Sequence, residues 1–507
     1  MKKKYVRWTL WTIASPFILF IILCILIYLP PIQNFLVDKA AVYASEATGM
    51  NISVGRISLS FPLNLVVTNV DAASLHNDTL LSVRRLQVNV QLLPLLKKQV
   101  EVDGISLQGA TVNSNDLIHG MKLNGTLGEL FISSHGVALD PETAIVNKVL
   151  LKDTDLSLCL NDTAAADTAA SDTTYWKIIL QDIDLQNVSF ALDMPLDSLS
   201  LAASLDNAIL RDGLIDLHKS AYSLQTFRIE NGRVRYDNGK PLAADSLSSG
   251  LDPSHIALTD IGVKLDSLYY GGRNMKAIIS QFVLKERSGV EIVSATGRMV
   301  SNDKVLRVPS LKLETRDSYL ELNAAMDWNA LDFKGEGLMS ARLMADIGKP
   351  DVVRFMGRMD EKFVRQYPSE PLRIRTGIDG DLNKLKLTTL TAELPGALGL
   401  FARGELTHLT DSLLRGGDIT LEAETKDLKF VSTLAEGIEI PYGTRLEGKF
   451  TMAGAKMGTD LLLMQPEAQA VAAADTIPIT VYNDSISVAD DFKMERAARL
   501  FAKYDLS

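Results

Sequence analysis

Apolar and polar positions alternate with a period of two along most of the chain. The stretches "ISVGRISLSF" from Ile52, "LNLVVTNV" from Leu63, "SVRRLQVNVQLL" from Ser82 and "VEVDGISLQGATVN" from Val100 each put hydrophobic residues on one side of an extended chain, and Gly, Asn or Asp interrupts them. This pattern predicts half-buried β-strands joined by turns. A degenerate unit recurs without a strict period in "ISLQGATVN" from Ile105, "VLLKDTDLSL" from Val149, "IDLQNVSFAL" from Ile183 and "FRIENGRVRY" from Phe227. Each copy reads apolar, any, apolar, any, then Gly109, Asp153, Asn187 or Asn231, and three positions later Val112, Leu156, Phe190 or Val234. Such a series fits strand units stacked one after another.

The fourth copy allows two geometries. Asn231-Gly232 suits a two-residue hairpin, which would set Ile229 opposite Val234 and Phe227 opposite Tyr236. Alternatively it is a bulge or kink in one long strand that re-phases the apolar side. Gly109-Ala110, Asp153-Thr154 and Asn187-Val188 make poor hairpin turns, so the kink fits all four copies and is preferred.

The period becomes helical in few places. After Pro30 and Pro31, residues Ile32, Phe35, Leu36, Tyr43 and Ala47 predict an amphipathic helix within 31–50, with Gly49 as its stop. Val352, Phe355, Met356, Met359 and Phe363 predict a second over 351–367, begun by Pro350 and ended by Pro368. "LLPLLKK" at 92–98 reads as a helical turn, and "DDFKMERAARLFAKYDLS" as a short helix closing an atypical tail over 466–507. The low-complexity stretch "NDTAAADTAASDTT" at 161–174 reads as a surface loop.

The N-terminus departs from all of this. Lys2, Lys3, Lys4 and Arg7 precede an uncharged run, Leu10 to Leu29, long enough to cross a hydrocarbon core as a helix. The basic flank predicts a signal anchor over 1–30 with a cytoplasmic tip and the rest of the chain on the far side. The run is too long for the apolar core of a cleaved signal peptide.

Composition then narrows the function. A hydrophobic content of 47% is that of a chain that buries a core, and a net charge of -10 disfavours nucleic acid as a partner. The two cysteines, Cys24 and Cys159, lie in unlike segments and predict no disulfide framework. His76, His119, His135, His218, His255 and His408 stand singly, without metal-ligand spacing. "GTRLEGKF" at 443–450 lacks the hydroxyl residue of a phosphate loop, and no nucleophile elbow occurs. The expectation is a non-enzyme without catalytic residues, metal or cofactor. What is left is the apolar side of the strands, covered by a second sheet in a sandwich or left open as a trough; alternation alone does not separate the two.

The order of features adds to this. A basic tip, an anchor, "PPIQNFLVDKAAVYASEATGMNISVGRISLSFPLNLVVTNV", then "LLSVRRLQVNVQLLPLLKKQVEVDGISLQGATVN" resembles the start of the AsmA-like family, in particular its TamB type, the inner-membrane subunit of the translocation and assembly module. "FVLKERSGVEIVSATGRM", "LRVPSLKLETRDSYLELNA" and "LTTLTAELPGALGLFARGEL" are similar to the TamB-type middle region. The resemblance covers roughly residues 1–455. Proteins of that type are longer and end in a C-terminal β-domain that is not matched here; an N-terminal portion of such a protein, an interrupted reading frame and a short AsmA-like relative are the alternatives.

The resemblance implies a mostly β protein: a transmembrane helix, then a periplasmic trough (a β-taco) over 51–465 with a few short helices. It implies bacterial inner-membrane localisation, phospholipid as ligand, transport of it between the two membranes, and an Omp85-class outer-membrane barrel as partner. An alternative role is outer-membrane protein assembly with that barrel; a structural β-sandwich without a lipid path is another. The residues expected to line the lipid groove are Ile183, Leu185, Phe190, Phe227, Ile229, Val234, Tyr236, Leu311, Leu313, Leu320 and Leu322.

Overall fold

The computed structural model describes residues 39, 41–42, 45–46, 50–60, 64–74, 79–90, 102–114, 120–138, 142–161, 175–239, 250–331, 337–356, 361–434, 442–454, 456–465 and 496–505. The fold is mostly β and divides into two compact units, residues 1–240 and 241–507. The expected anchor, the turn at 92–98 and nearly all of the loop at 161–174 lie outside the described residues. No described helix is long and apolar enough to cross a membrane. Within the expected helix at 31–50, positions 39, 41–42 and 45–46 are helical.

The first unit contains β1 (Asn51–Ser60), β2 (Asn64–Ala73), β3 (Thr79–Val90), β4 (Val102–Asn113), β5 (Met121–Ala138), β6 (Thr143–Leu160), β7 (Lys177–Met194), β8 (Leu199–Asp216), β9 (Ala221–Leu224) and β10 (Thr226–Asp237). Successive strands from β1 to β8 pair side by side, antiparallel except for the parallel pair β6–β7. The far edge of β8 pairs with β9 and β10 in turn. A parallel pair needs a long connection to bring the chain back, and the low-complexity segment joins β6 to β7.

Asn231-Gly232 is a kink and not a hairpin. β10 runs straight through it, with Ile229 opposite Ala208 and Val234 opposite Ala203 on β8. Pairing lapses between Glu230↔Asn207 and Arg233↔Ser204, then resumes in the same register, so no residue has been inserted. Every other long strand of the unit lapses at the matching place. Lys152↔Gln186 and Thr154↔Val188 leave Asp153 beside Asn187, and Gln108↔Glu129 and Ala110↔Leu127 leave Gly109 beside Gly128. The same step aligns Gly55, Asn69 and Arg84 on β1, β2 and β3, and Asp206 and Asn231 on β8 and β10. One transverse row thus crosses nine strands.

Chain direction decides the conformation in this row. Asn69, Gly109, Asp153, Asn187 and Asn231 have φ between 49° and 62°, and all five lie on strands running one way. Gly55, Arg84, Gly128 and Asp206 lie on strands running the other way and have no left-handed φ. Because L-residues are chiral, one bend of the sheet asks different dihedrals of opposed strands. Asn, Asp and Gly adopt the left-handed state at least cost, which is why they mark the repeat. The row is also tight. A Cβ at Gly128 would lie 2.7 Å from Asp153 Cβ, and one at Gly109 3.1 Å from Arg84 Nε.

A second, shorter row lies six residues away along each strand. Pairing lapses at Asn147 and Gln181 between β6 and β7, and at Asp212 and Gln225 beyond them. Here the left-handed residue, Asp212 (φ 51°), is on β8, which runs opposite to β7.

The second unit contains β11 (His255–Gly271), β12 (Asn274–Glu286), β13 (Glu291–Ser301), β14 (Val305–Thr315), β15 (Tyr319–Asp327), β16 (Met339–Ile347), β17 (Leu372–Gly380), β18 (Lys384–Leu394), β19 (Leu398–Thr407), β20 (Gly416–Thr425), β21 (Arg445–Ala453), β22 (Lys456–Gln465) and β23 (Arg496–Asp505). Each pairs antiparallel with the next. Between Val308 and Leu311 the β14–β15 register shifts, at Pro309, which has no N–H for the ladder.

Two expected helices come out differently. The segment 351–367 holds two short helices, α1 (Lys349–Met356) and α2 (Glu361–Gln366). They serve different contacts. Phe363 of α2 sits in a buried cluster with Tyr367, Leu394, Ala397, Leu428 and Phe430, whereas Phe355 and Met356 of α1 are exposed. The expected terminal helix is instead the strand β23, paired with β22 from Lys456↔Asp505 to Gln465↔Arg496. The open edge of β22 supplies a hydrogen-bond ladder that outweighs helix propensity.

Candidate functional site

The kinks keep one side of each strand apolar. On β7, Ile183 and Leu185 precede Asn187, and Val188 and Phe190 follow it. Leu185 and Val188 are three apart and would face opposite ways on a straight strand. The kink restores the phase, through a left-handed residue on β7 and without one on the opposed strands, so both halves present their hydrophobic residues to one face. The same step separates Val83 from Leu86, Leu127 from Leu130, Thr154 from Leu151 and Leu205 from Ala208.

Register turns these positions into rows across the sheet. Next to the kink on one side run Ile57, Val67, Leu86, Leu107, Leu130, Leu151, Leu185, Ala208 and Ile229, each opposite the next. Behind them run Leu59, Leu65, Val88, Ile105, Ile132, Val149, Ile183, Leu210 and Phe227 in the same manner. Beyond the kink, Leu156, Phe190, Ala203 and Val234 form one row, and Leu158, Leu192, Leu201 and Tyr236 another. No charged side chain interrupts these rows.

Burial gives the sense of the bend. Just inside the kink Val83, Ala110, Thr154 and Ala208 are buried, at 5%, 5%, 2% and 3% exposure. On the outer side two consecutive residues are exposed on several strands: Gly55-Arg56, Arg84-Arg85, Lys152-Asp153 and Gln186-Asn187. Crowding inside and exposure outside are what a fold toward the apolar face produces, so that face is concave. Away from the kink its large residues are only partly covered; Ile105 and Phe190 are 37% and 39% exposed. The fully buried apolar residues described in this unit are few and mostly alanine, so among the described residues no packed second layer covers the rows.

The convex side carries the polar groups. Asn187 Nδ2 donates to Asp153 Oδ1 at 2.9 Å, Asn231 Nδ2 donates to Asp206, and Asn147 Nδ2 donates to Gln181 Oε1 at 2.9 Å. Arg211 pairs with Asp182 and, at 2.8 Å, with Asp184, the outward neighbours of Ile183 and Leu185.

The second unit has rows of its own. Val263, Phe282, Ala295, Leu313, Leu320, Ala345, Ile374, Ala392, Leu400, Ala423, Leu446 and Leu463 lie opposite one another in succession. Leu311, Leu322 and Leu343 begin the neighbouring row. At one end of β17, β18 and β19 the cluster around Phe363 closes over Leu372, Leu394 and Leu398. Its rings meet edge-on or tilted, Tyr367 and Phe430 with centroids 5.1 Å apart and Phe363 and Phe430 5.8 Å. Burial pushes the Tyr367 hydroxyl above its usual range. Asp351, 1% exposed, pins α1 to the β14–β15 turn: the hydroxyls of Thr315 and Ser318 (2.6 Å) donate to Oδ2 and Arg354 Nη1 to Oδ1 at 3.1 Å.

The eleven residues expected to line a groove therefore fall into two sets. Ile183 and Phe227 flank Leu210, Leu185 and Ile229 flank Ala208, Phe190 and Val234 flank Ala203, and Tyr236 lies opposite Leu201, all in the first unit. Leu311 lies opposite Leu322 and Leu313 opposite Leu320 in the second. The expectation named members on β7, β10, β14 and β15 and missed those on the other strands of the rows, β1–β6 and β8 among them. Leu107, Leu130 and Leu151 were findable by the same three-residue spacing across a kink. No family model, curated protein or solved structure matches this chain.

Proposed function

We propose that this chain binds phospholipid acyl chains along its apolar β faces and carries them between the inner and outer membranes of a bacterium. In this reading residues 10–29 anchor it in the inner membrane with the N-terminus cytoplasmic, the strand-rich body is periplasmic, and no catalysis or cofactor is involved. The observation that carries it is the set of unbroken apolar rows whose large side chains remain partly open to solvent. An exposed apolar face of that extent marks a binding surface.

The energetics favour such a route. Acyl chains exposed to water cost about 0.8 kcal/mol per methylene, so a two-chain lipid crossing unaided meets a barrier of roughly 20 kcal/mol or more. A continuous apolar face removes most of that barrier and needs no reactive group. The test is site-specific photocrosslinking from Leu185 and Leu313 in cells. Labelled phospholipid at both positions supports the reading, and protein adducts without lipid go against it.

Assembly of outer-membrane β-proteins with an Omp85-class barrel is the second reading. In it a client strand adds to β1 beyond Ile52, whose N–H is already held by Ser45 Oγ at 3.0 Å on the side away from β2. Crosslinks from backbone-facing positions of Asn51–Ser60 to client strands would favour it over lipid binding.

A further inference from the structure

We infer that the left-handed residues of the kink, Asn187 among them, are positioning residues for acyl-chain binding, an inference that rests on the function proposed above. Two facts combine here. First, on each strand the apolar residues on the two sides of the kink have opposite parity, so an extended backbone at Asn187 would turn Val188 and Phe190 onto the convex face while Ile183 and Leu185 stayed concave. Second, all strands make the step in one row without a change of register, so the panels before and after the kink face one shared hollow. The residues of the kink need not touch the ligand. Their backbone conformation decides whether two apolar panels or one are available to it.

The polar contacts outside the bend fit this role. Asn187 is left-handed on β7 and Asp153 on β6, and the side-chain bond between them joins the two strands that run parallel. Asn231 is held to Asp206 in the same way across the antiparallel pair β8–β10. Asparagine here supplies both a tolerated left-handed φ and a clamp on its neighbour, which glycine would supply only in part.

The experiment uses the full chain and a sixteen-carbon fatty acid carrying a diazirine, with crosslinked peptides read by mass spectrometry. Asn187→Gly keeps the left-handed state, and Asn187→Val opposes it. With Asn187→Gly, affinity should stay within about twofold and adducts should persist on both panels. With Asn187→Val, affinity should fall about tenfold or more, and adducts near Phe190 should vanish while those near Leu185 remain. Asn187→Ala, which opposes the state less strongly, should fall between them and replaces the valine variant if that one fails to fold. A valine or alanine variant with wild-type affinity and wild-type adducts on both panels overturns the inference and leaves lipid binding standing. A wild-type chain that takes no probe on either panel overturns both.

Discussion

Asn187 Nδ2 donates to Asp153 Oδ1 at 2.9 Å across the parallel strands β6 and β7, and both residues have left-handed φ, 51° and 49°. The pair sits on the convex side of a sheet whose concave side is apolar. A polar contact outside and two hydrophobic panels inside are thus consequences of one backbone state. Substituting Asp153→Gly keeps the left-handed state and removes the acceptor, at about 1 kcal/mol or less, because the contact is exposed. The chain should remain folded, and amide exchange should quicken locally at Thr154 and Val188 with the global denaturation midpoint nearly unchanged.

Gly128 tests the closeness of the same row from the neighbouring strand. A Cβ there would meet Asp153 Cβ at 2.7 Å and Asp153 O at 2.9 Å, and the backbone atom cannot rotate away. Gly128→Ala should destabilise the first unit by about 1–3 kcal/mol. Urea denaturation followed by far-ultraviolet circular dichroism measures it; an unchanged midpoint would mean that the row has room to spare.

Asp351 anchors the helical cap of the second unit. Asp351→Ala leaves the hydroxyls of Thr315 and Ser318 and the Arg354 guanidinium without their shared acceptor. A loss of about 1–3 kcal/mol is expected, since the two hydroxyls lose their acceptor while Arg354 keeps Asp317 at 3.0 Å. Phe363→Ala, which empties the centre of the adjacent cluster, should cost more, about 3–5 kcal/mol. Thermal unfolding of each variant checks both values.

The turn before β11 should loosen in acid. The Ser254 N–H, then the His255 side chain, hold the Asp252 carboxyl below its ordinary value of 3.8. A lowered folded pKa means that its contribution is complete above the unfolded value and is lost as pH falls below about 4 through the folded pKa. Protection of the Ser254 amide, corrected for intrinsic exchange, should fall over that window and stay constant above it. With the side chain a third exposed, the effect is local.

Much of the strand architecture is written in the alternation, because a half-buried strand imposes a period of two on its own residues. The kink was legible in four strands, where Gly109, Asp153, Asn187 and Asn231 break the alternation with residues that accept a left-handed φ. It was not legible where Arg84 or Asp206 occupies the row, since opposed strands make the same bend with ordinary dihedrals. The parallel step between β6 and β7 leaves no local mark; both strands alternate as any antiparallel strand would. At the C-terminus the helical spacing of Arg496–Asp505 misled, because what decides that segment is the edge of β22, contributed by residues far from it. In 351–367 a single apolar stripe stood for two helices, since Phe363 answers to a core and Phe355 does not. As for the site, Leu311 and Leu313 on one strand predict Leu322 and Leu320 opposite, but the rows that join nine strands follow from register, which sequence alone does not fix.

Mass spectrometry of the full chain purified from cells in a mild detergent, without added lipid, tests the central claim most directly. The account predicts phospholipid carried with the protein, strongly reduced by Phe227→Asp and by Leu313→Asp, each of which puts a charge into an apolar row while the chain stays folded. Purified wild-type chain free of phospholipid, or aspartate variants that carry as much as the wild type, would contradict it.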